Sequence, residues 1–254
     1  MTERVALPDS LAPGRQRRSP KASERIARDL ALHIVESGLE EGAMLPTERE
    51  MCETLGVGRT TLREALRLLE TRGVLVIKPG PRGGPEVRRP RGEDFGAALA
   101  LILQFEQASL ADVMAAREAL RPMVARLAAE RIDDETLREL RETVARLGEH
   151  LDDDEFFAES GRFHALVAAA SGSVVLRVFT ESLGAISDGA AAGVRYDHRR
   201  REAVARAYER ILDALEARDP EAAAEAMRRH VDEASAYWES AYPELVSRPV
   251  RWLS

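Results

Sequence analysis

Gly56-Val57-Gly58 and Gly73 divide the stretch Leu45–Gly84 into segments too short for a long helix and too regular for a loop. Thr47 and Glu50 have the spacing of a capping box, in which side chain and backbone satisfy each other's orphan donors. Met51 and Leu55 follow four residues apart, so the first segment predicts a helix of about two turns. A second helix is expected from Arg59 to about Arg72, because Leu62, Ala65, Leu66 and Leu69 fall on one face. Gly73 ends it as a C-terminal glycine does. Two strand-like segments, Val74–Lys78 and roughly Glu86–Arg88, are joined by a loop rich in Pro, Gly and Arg.

Helix, tight turn, helix and two-stranded hairpin make a winged helix-turn-helix. Arg59, Thr60, Arg63 and Arg67 lie off the buried face or at its edge. Arginine donates two bonds to guanine, and threonine touches a thymine methyl or a phosphate, so such a helix suits the major groove. Arg59 and Arg63, one turn apart, are the best base readers; Arg49 and Lys78 suit the phosphate backbone. The alternative is a small helical hairpin whose arginines are only solvated. The coincidence of cap, turn, Arg/Thr cluster and basic wing favours the DNA reader.

The net charge of −7 hides an asymmetry. Residues 1–92 hold 17 Lys/Arg against 13 Asp/Glu, and residues 93–254 hold 20 against 31. The basic half coincides with the motif, and the acidic half is unsuited to wrapping DNA. A chain of 254 residues has room for two domains. No apolar run approaches the ~20 residues of a membrane span, and no signal-peptide core is expected at the N-terminus. Cys52 is the single cysteine, so no intrachain disulfide forms, which fits a reducing cytoplasm.

Residues 1–22 are polar, contain three prolines and read as a flexible arm, on which Arg15, Arg17, Arg18 and Lys21 are either solvated or within reach of phosphate. Residues 23–88 make the winged helix, with Ser23 expected to cap a helix whose core face is Ile26, Leu30, Ile34 and Val35. A basic linker covers 89–93. Residues 94–241 read as helices only: 94–107, 109–131, 133–151, 153–171, 173–191, 199–217 and 219–241. The fold class expected is therefore mainly α, with an antiparallel all-helical bundle of six or seven helices after the wing. Residues 242–254 read as a tail.

The segment LPTERE…LGVGRTTLREALRLLETRGVL resembles the DNA-binding domain of the GntR family of bacterial repressors, and RTTLRE is close to its FadR branch. That resemblance implies DNA contacts by Arg49, Arg59, Thr60, Thr61 and Arg63. It also implies an approach of the wing, at Lys78 and Gly80, to the minor groove, with Arg82 adding a phosphate contact. Gly58 departs from the pattern, since the family often has Ser or Thr there. The segments SLADVMAAREALRPMVARLAAERI, ESGRFHALVAAASGS and YERILDALEARDPEAAAEAMRRHV resemble the FCD domain, the helical effector domain of the same regulators.

Many FCD domains hold a divalent metal (zinc, nickel or manganese), and the positions that resemblance assigns to its ligands are Ser160, His164, Tyr208 and His230 here. Two of the four, His164 and His230, retain metal-binding side chains. A serine brings no charge, and a phenol with a pKa near ~10 is a poor ligand. The reading favoured is a pocket that requires no metal, in which His164, Tyr208 and His230 hydrogen-bond an effector. Arg117 stands where the family has an inward-facing arginine suited to a carboxylate; the competing reading is a surface arginine paired with Glu118. Arg121 and Pro122 replace a commoner acidic and apolar pattern. His198, in the charged run YDHRRRE, reads as solvated.

One recognition helix reads only a few base pairs, so two copies on a pseudo-palindromic operator are expected, and the resemblance implies a homodimeric repressor released by an organic acid or acyl derivative. The alternatives are a metal-dependent helical-bundle enzyme or sensor, or a DNA-binding protein with no ligand. No nucleophile–base pair, phosphate-binding glycine loop or complete metal triad is visible in the sequence.

Overall fold

The structure, a computed structural model, describes residues 22–80, 83–149, 151–189 and 191–252. The arm with Arg15, Arg17, Arg18 and Lys21, and the wing residue Arg82, lie outside the described residues. The chain divides between Arg91 and Gly92 into two compact units.

The first unit holds α1 (Ala22–Glu36), α2 (Glu48–Leu55), α3 (Arg59–Thr71), β1 (Leu75–Lys78) and β2 (Gly84–Val87). The expected capping box is present: Thr47 Oγ1 accepts from the Glu50 amide and the Glu50 carboxylate accepts from the Thr47 amide. Gly56 closes α2 in the left-handed conformation, φ +64°, which costs glycine little. Gly58 precedes α3 with no side-chain cap, as its missing hydroxyl dictates. Ile26, Leu30, Ile34, Met51, Leu55, Leu62, Ala65, Leu66 and Leu69 share one core with Leu45, Leu75 and Val87.

Two expectations for α1 are corrected. Val35 is 76% exposed and belongs to the solvent face; one residue past Ile34 turns a side chain about 100° around the helix. His33 is buried instead, bonded to Ser37 Oγ at 3.0 Å. Ser23 lies inside α1 and is buried rather than standing before it as the cap.

β1 and β2 pair antiparallel, with Leu75 opposite Val87 and Lys78 opposite Gly84. A Cβ on Gly83 would lie 2.1 Å from the Lys78 carbonyl oxygen, so this turn requires glycine. The segment before α2 extends the hairpin: Val87 N donates to Ala43 O, and Leu45 N to Pro85 O. A lone bridge joins Met44 to Glu86.

The second unit is a helical bundle: α4 (Gly92–Phe105), α5 (Leu110–Arg131), α6 (Asp134–Leu147), α7 (Asp153–Ala170), α8 (Val174–Ile186), α9 (His198–Glu216), α10 (Pro220–Ala241) and α11 (Pro243–Val246). Aspartates 133, 152, 197 and 219 cap α6, α7, α9 and α10, each accepting a backbone N–H at the positive end of the helix. α10 runs along α5, and α7 and α9 pack around them over a core of Phe156, Phe163, Ile211, Leu215 and Met227.

Residues 242–252, read from sequence as a tail, include α11 and dock on this unit. Val250 N donates to Ala108 O at 2.8 Å, and Leu110 N to Arg248 O at 3.0 Å. Val246 and Val250 are buried beside Trp238. Two valines spaced by a turn and a bridge carry too short a period to be legible in sequence.

Candidate functional site

Each unit presents one arrangement of functional side chains. On the first, α3 projects Arg59, Thr60 and Arg63 into solvent, while Thr61 is half-buried. The face opposite them is the leucine stripe that anchors α3, so burying Leu62, Leu66 and Leu69 is what aims the polar residues outward. Arg63 Nε donates to Glu48 Oε2 at 2.9 Å, with the arginine side chain 64% exposed. Arg49 pairs with Glu53 at 3.6 Å, and Lys78 Nζ with Glu86 Oε2 at 2.6 Å. Gly80, φ +103°, follows Pro79 at the start of the wing turn. These cations are exposed, and their carboxylate partners exchange readily for phosphate oxygens.

On the second unit, four helices bring a polar group into an apolar interior. α7 supplies Ser160 and His164, one turn apart on one face; α9 supplies Tyr208, and α10 supplies His230. Tyr208 is 1% exposed, stacked on Phe163 with ring centroids 4.1 Å apart. Its hydroxyl lies 2.6 Å from Ser160 Oγ and 3.0 Å from His164 Nε2. The His164 and His230 rings are 5.4 Å apart, and Tyr208 is 4.8 Å from His230.

α5 adds Arg117 and Arg121. Arg117 Nη1 donates to Ser187 Oγ, at the end of α8, at 2.7 Å, while its Nε is buried with no partner among the described residues. The surface pairing with Glu118 is thus not its hydrogen-bonded state. Arg121 is 5% exposed, and its Nε is also buried with no partner among the described residues. Burial and then the Arg121 charge push both histidines well below the usual imidazole range, and burial pushes the Tyr208 phenol up. Both imidazoles and the phenol are therefore neutral near pH 7. Burial, and then Arg117, lower Arg121 as well, yet a guanidinium stays protonated in proteins. The site is a neutral ring cluster with two buried positive charges.

Comparison with known proteins decides the lineage. Residues 22–82 match the family of bacterial regulatory proteins named gntR, and residues 112–233 match the FCD domain. An HTH-type transcriptional regulator of Bacillus subtilis, YcbG, is 33% identical over 203 residues, covering 79% of this chain and 83% of its own. The chain belongs to the GntR family. The HTH-type transcriptional repressor NanR of Salmonella newport is 29% identical over 248 residues, covering 91% of this chain and 92% of its own. A solved GntR structure from Streptococcus agalactiae superposes with a TM-score of 0.62 at 29% identity, covering 84% of this chain and 99% of that one.

This GntR protein is thus a transcriptional regulator that couples a helix-turn-helix domain to an FCD domain, the architecture of the FadR subfamily. Its relatives are regulators, which sets the enzyme alternative aside. No helix among the described residues is long and apolar enough to cross a membrane.

The residues at the FCD metal positions do not fit a divalent cation. Ser160 and Tyr208 are bonded to each other, the phenol is held neutral, and no carboxylate joins the two imidazoles. Among the described residues, no group of three or more His, Cys, Asp or Glu is arranged to hold a metal. The charges of two guanidiniums act on His230, and like charges repel.

The structure brings together Arg117, Ser160, His164, Tyr208 and His230, all singled out from sequence. Sequence reasoning missed Ser187, the acceptor for Arg117, because the two are seventy residues apart. It also passed over Arg121 as an anchor, although the four-residue step from Arg117 on one helix was a readable signal.

Proposed function

We propose that this GntR protein is a homodimeric repressor that acts in the cytoplasm and leaves a pseudo-palindromic operator when an anionic metabolite enters its helical domain. Arg59, Thr60, Thr61 and Arg63 read base edges and nearby phosphates, and Arg49, Lys78 and Gly80 fix the register. The effector is an organic acid or acyl derivative held by Arg117, with Ser160, His164, Tyr208 and His230 hydrogen-bonding the rest, and no resident metal is required. The observation that carries this reading is the buried guanidinium of Arg117, with one donor held by Ser187 and another left without a partner. A buried charge with spare donors is costly until an anion meets it.

A second copy fits the apolar side chains left outside the bundle. Phe95, Ile102 and Phe105 on α4, and Val175 and Phe179 on α8, are exposed, with the Phe95 and Phe179 rings in edge contact at 5.8 Å. A patch of this kind on a soluble unit favours a self-association surface. The helix pair also belongs to the unit that binds the effector, so ligand entry can bias the placement of the two DNA-reading units.

The test is operator binding by fluorescence anisotropy, titrated with a panel of carboxylic acids. An effective acid lowers operator affinity in the wild type, and Arg117→Ala abolishes that response while operator affinity without effector stays unchanged. A variant that still responds normally removes Arg117 from the pocket.

A further inference from the structure

Arg121 has no role in the reading above, yet it is the most thoroughly buried charge described at the site. It is 5% exposed, its Nε has no partner, and no hydrogen bond or ion pair to it is found among the described residues. Such a side chain is retained at a price in stability unless something meets its charge. Arg117 stands one turn earlier on α5, so both guanidiniums leave the same helix face. The neighbouring rings of His164, Tyr208 and His230 offer hydrogen-bonding edges and no negative charge.

The surroundings point the same way. After burial itself, Arg121 is the first charged group acting on both His164 and His230. Arg117, Arg200 and Arg210 add to it at His230, so the largest charges acting there are positive. The Arg200 guanidinium is stacked 4.5 Å over Tyr237, and its Nε is buried without a partner. Against them stands Glu118, the carboxylate felt by Arg117.

We propose that Arg121 supplies in this chain the positive charge that a metal ion supplies in related domains, so that the bundle binds its effector metal-free through two guanidiniums one helical turn apart on α5, which suit a dianion, either a dicarboxylate or a phosphate monoester. The inference rests on the anionic-effector reading above and narrows it from one negative charge to two. Arg117 takes one anionic group and Arg121 the second, each with a fork of N–H donors that matches carboxylate or phosphate oxygens. The neutral rings orient the ligand between them.

The test is isothermal titration calorimetry of the full-length protein, purified through EDTA, with succinate, butyrate, inorganic phosphate and glycerol 3-phosphate. The expected result is binding of succinate or glycerol 3-phosphate at least tenfold tighter than butyrate, unchanged by added zinc or nickel. Arg121→Met should erase that preference and leave the weak butyrate binding. Arg121→Lys, which keeps charge without the fork, should retain part of the preference; it also serves as the readout if the methionine variant misfolds. Preference for succinate assigns a dicarboxylate, and preference for the phosphates assigns a phosphate monoester. Equal binding of mono- and dianions, or binding that appears only with added metal, overturns the role of Arg121 and leaves Arg117 as a single-anion anchor. If no probe binds and none shifts operator affinity, the anionic-effector reading falls with it.

Discussion

The two units use arginine in opposite ways. On the helix-turn-helix unit Arg63 and Arg49 are exposed and paired with the half-buried Glu48 and the exposed Glu53. In the bundle Arg117 and Arg121 have buried Nε donors with no partner among the described residues, and the ring cluster of the same site is neutral. An exposed pair is worth about 0–1 kcal/mol, so an arriving phosphate displaces the carboxylate at little cost. A buried guanidinium has already lost its water, so an anion that reaches it gains most of the interaction. The first arrangement suits a partner whose charge is everywhere along its length, and the second a small ligand that must be selected.

The largest expected effect breaks the comparison on the buried side. Arg121→Met, similar in volume, should raise the free energy of unfolding of the unliganded protein by about 1–4 kcal/mol in urea denaturation. A loss of stability of that size would mean that Arg121 is internally compensated and is no anion anchor. On the exposed side, Arg63→Ala should weaken operator binding by about 1–3 kcal/mol and relax specificity at one base pair, measured by anisotropy on single-base operator variants. Unchanged binding would move the reading surface away from the first turns of α3.

Two smaller effects sharpen the contrast. Glu48→Gln removes the carboxylate that competes for Arg63; operator affinity should rise while folding stability changes by less than about 1 kcal/mol. A drop in affinity would show that Glu48 positions Arg63 rather than competing for it. Gly58→Ser should stabilise the protein by a few tenths of a kcal/mol, about the difference between glycine and serine as N-caps. Residue 58 has extended backbone geometry, and a Cβ there meets nothing within 4 Å, so the gain should appear in thermal unfolding without strain.

Legibility in the sequence followed the range of the interaction. The capping box at Thr47, the leucine stripe of α3 and the breaks at Gly56 and Gly73 are set by neighbours within four residues. Each was readable for that reason. Val35 was misplaced because one apolar residue at the edge of a stripe fits the pattern whether or not a partner covers it. The packing of Val246 and Val250 was invisible because it depends on a bridge from Pro249 back to Ser109.

The same division holds for the site. Sequence pattern placed Arg117, Arg121, His164, Tyr208 and His230 on helices, and the resemblance to FCD domains implied that two metal-ligand positions had changed. A helix period fixes which residues share a face, and α5 and α7 each had theirs written locally. Only the tertiary structure decided that α5, α7, α9 and α10 converge, that Ser187 holds Arg117, and that Tyr208 bridges Ser160 to His164. Packing likewise buries Arg121, with no ion pair to it among the described residues. Burial and pairing are properties of the packed interior, and a guanidinium's energy there depends on groups far away in the chain.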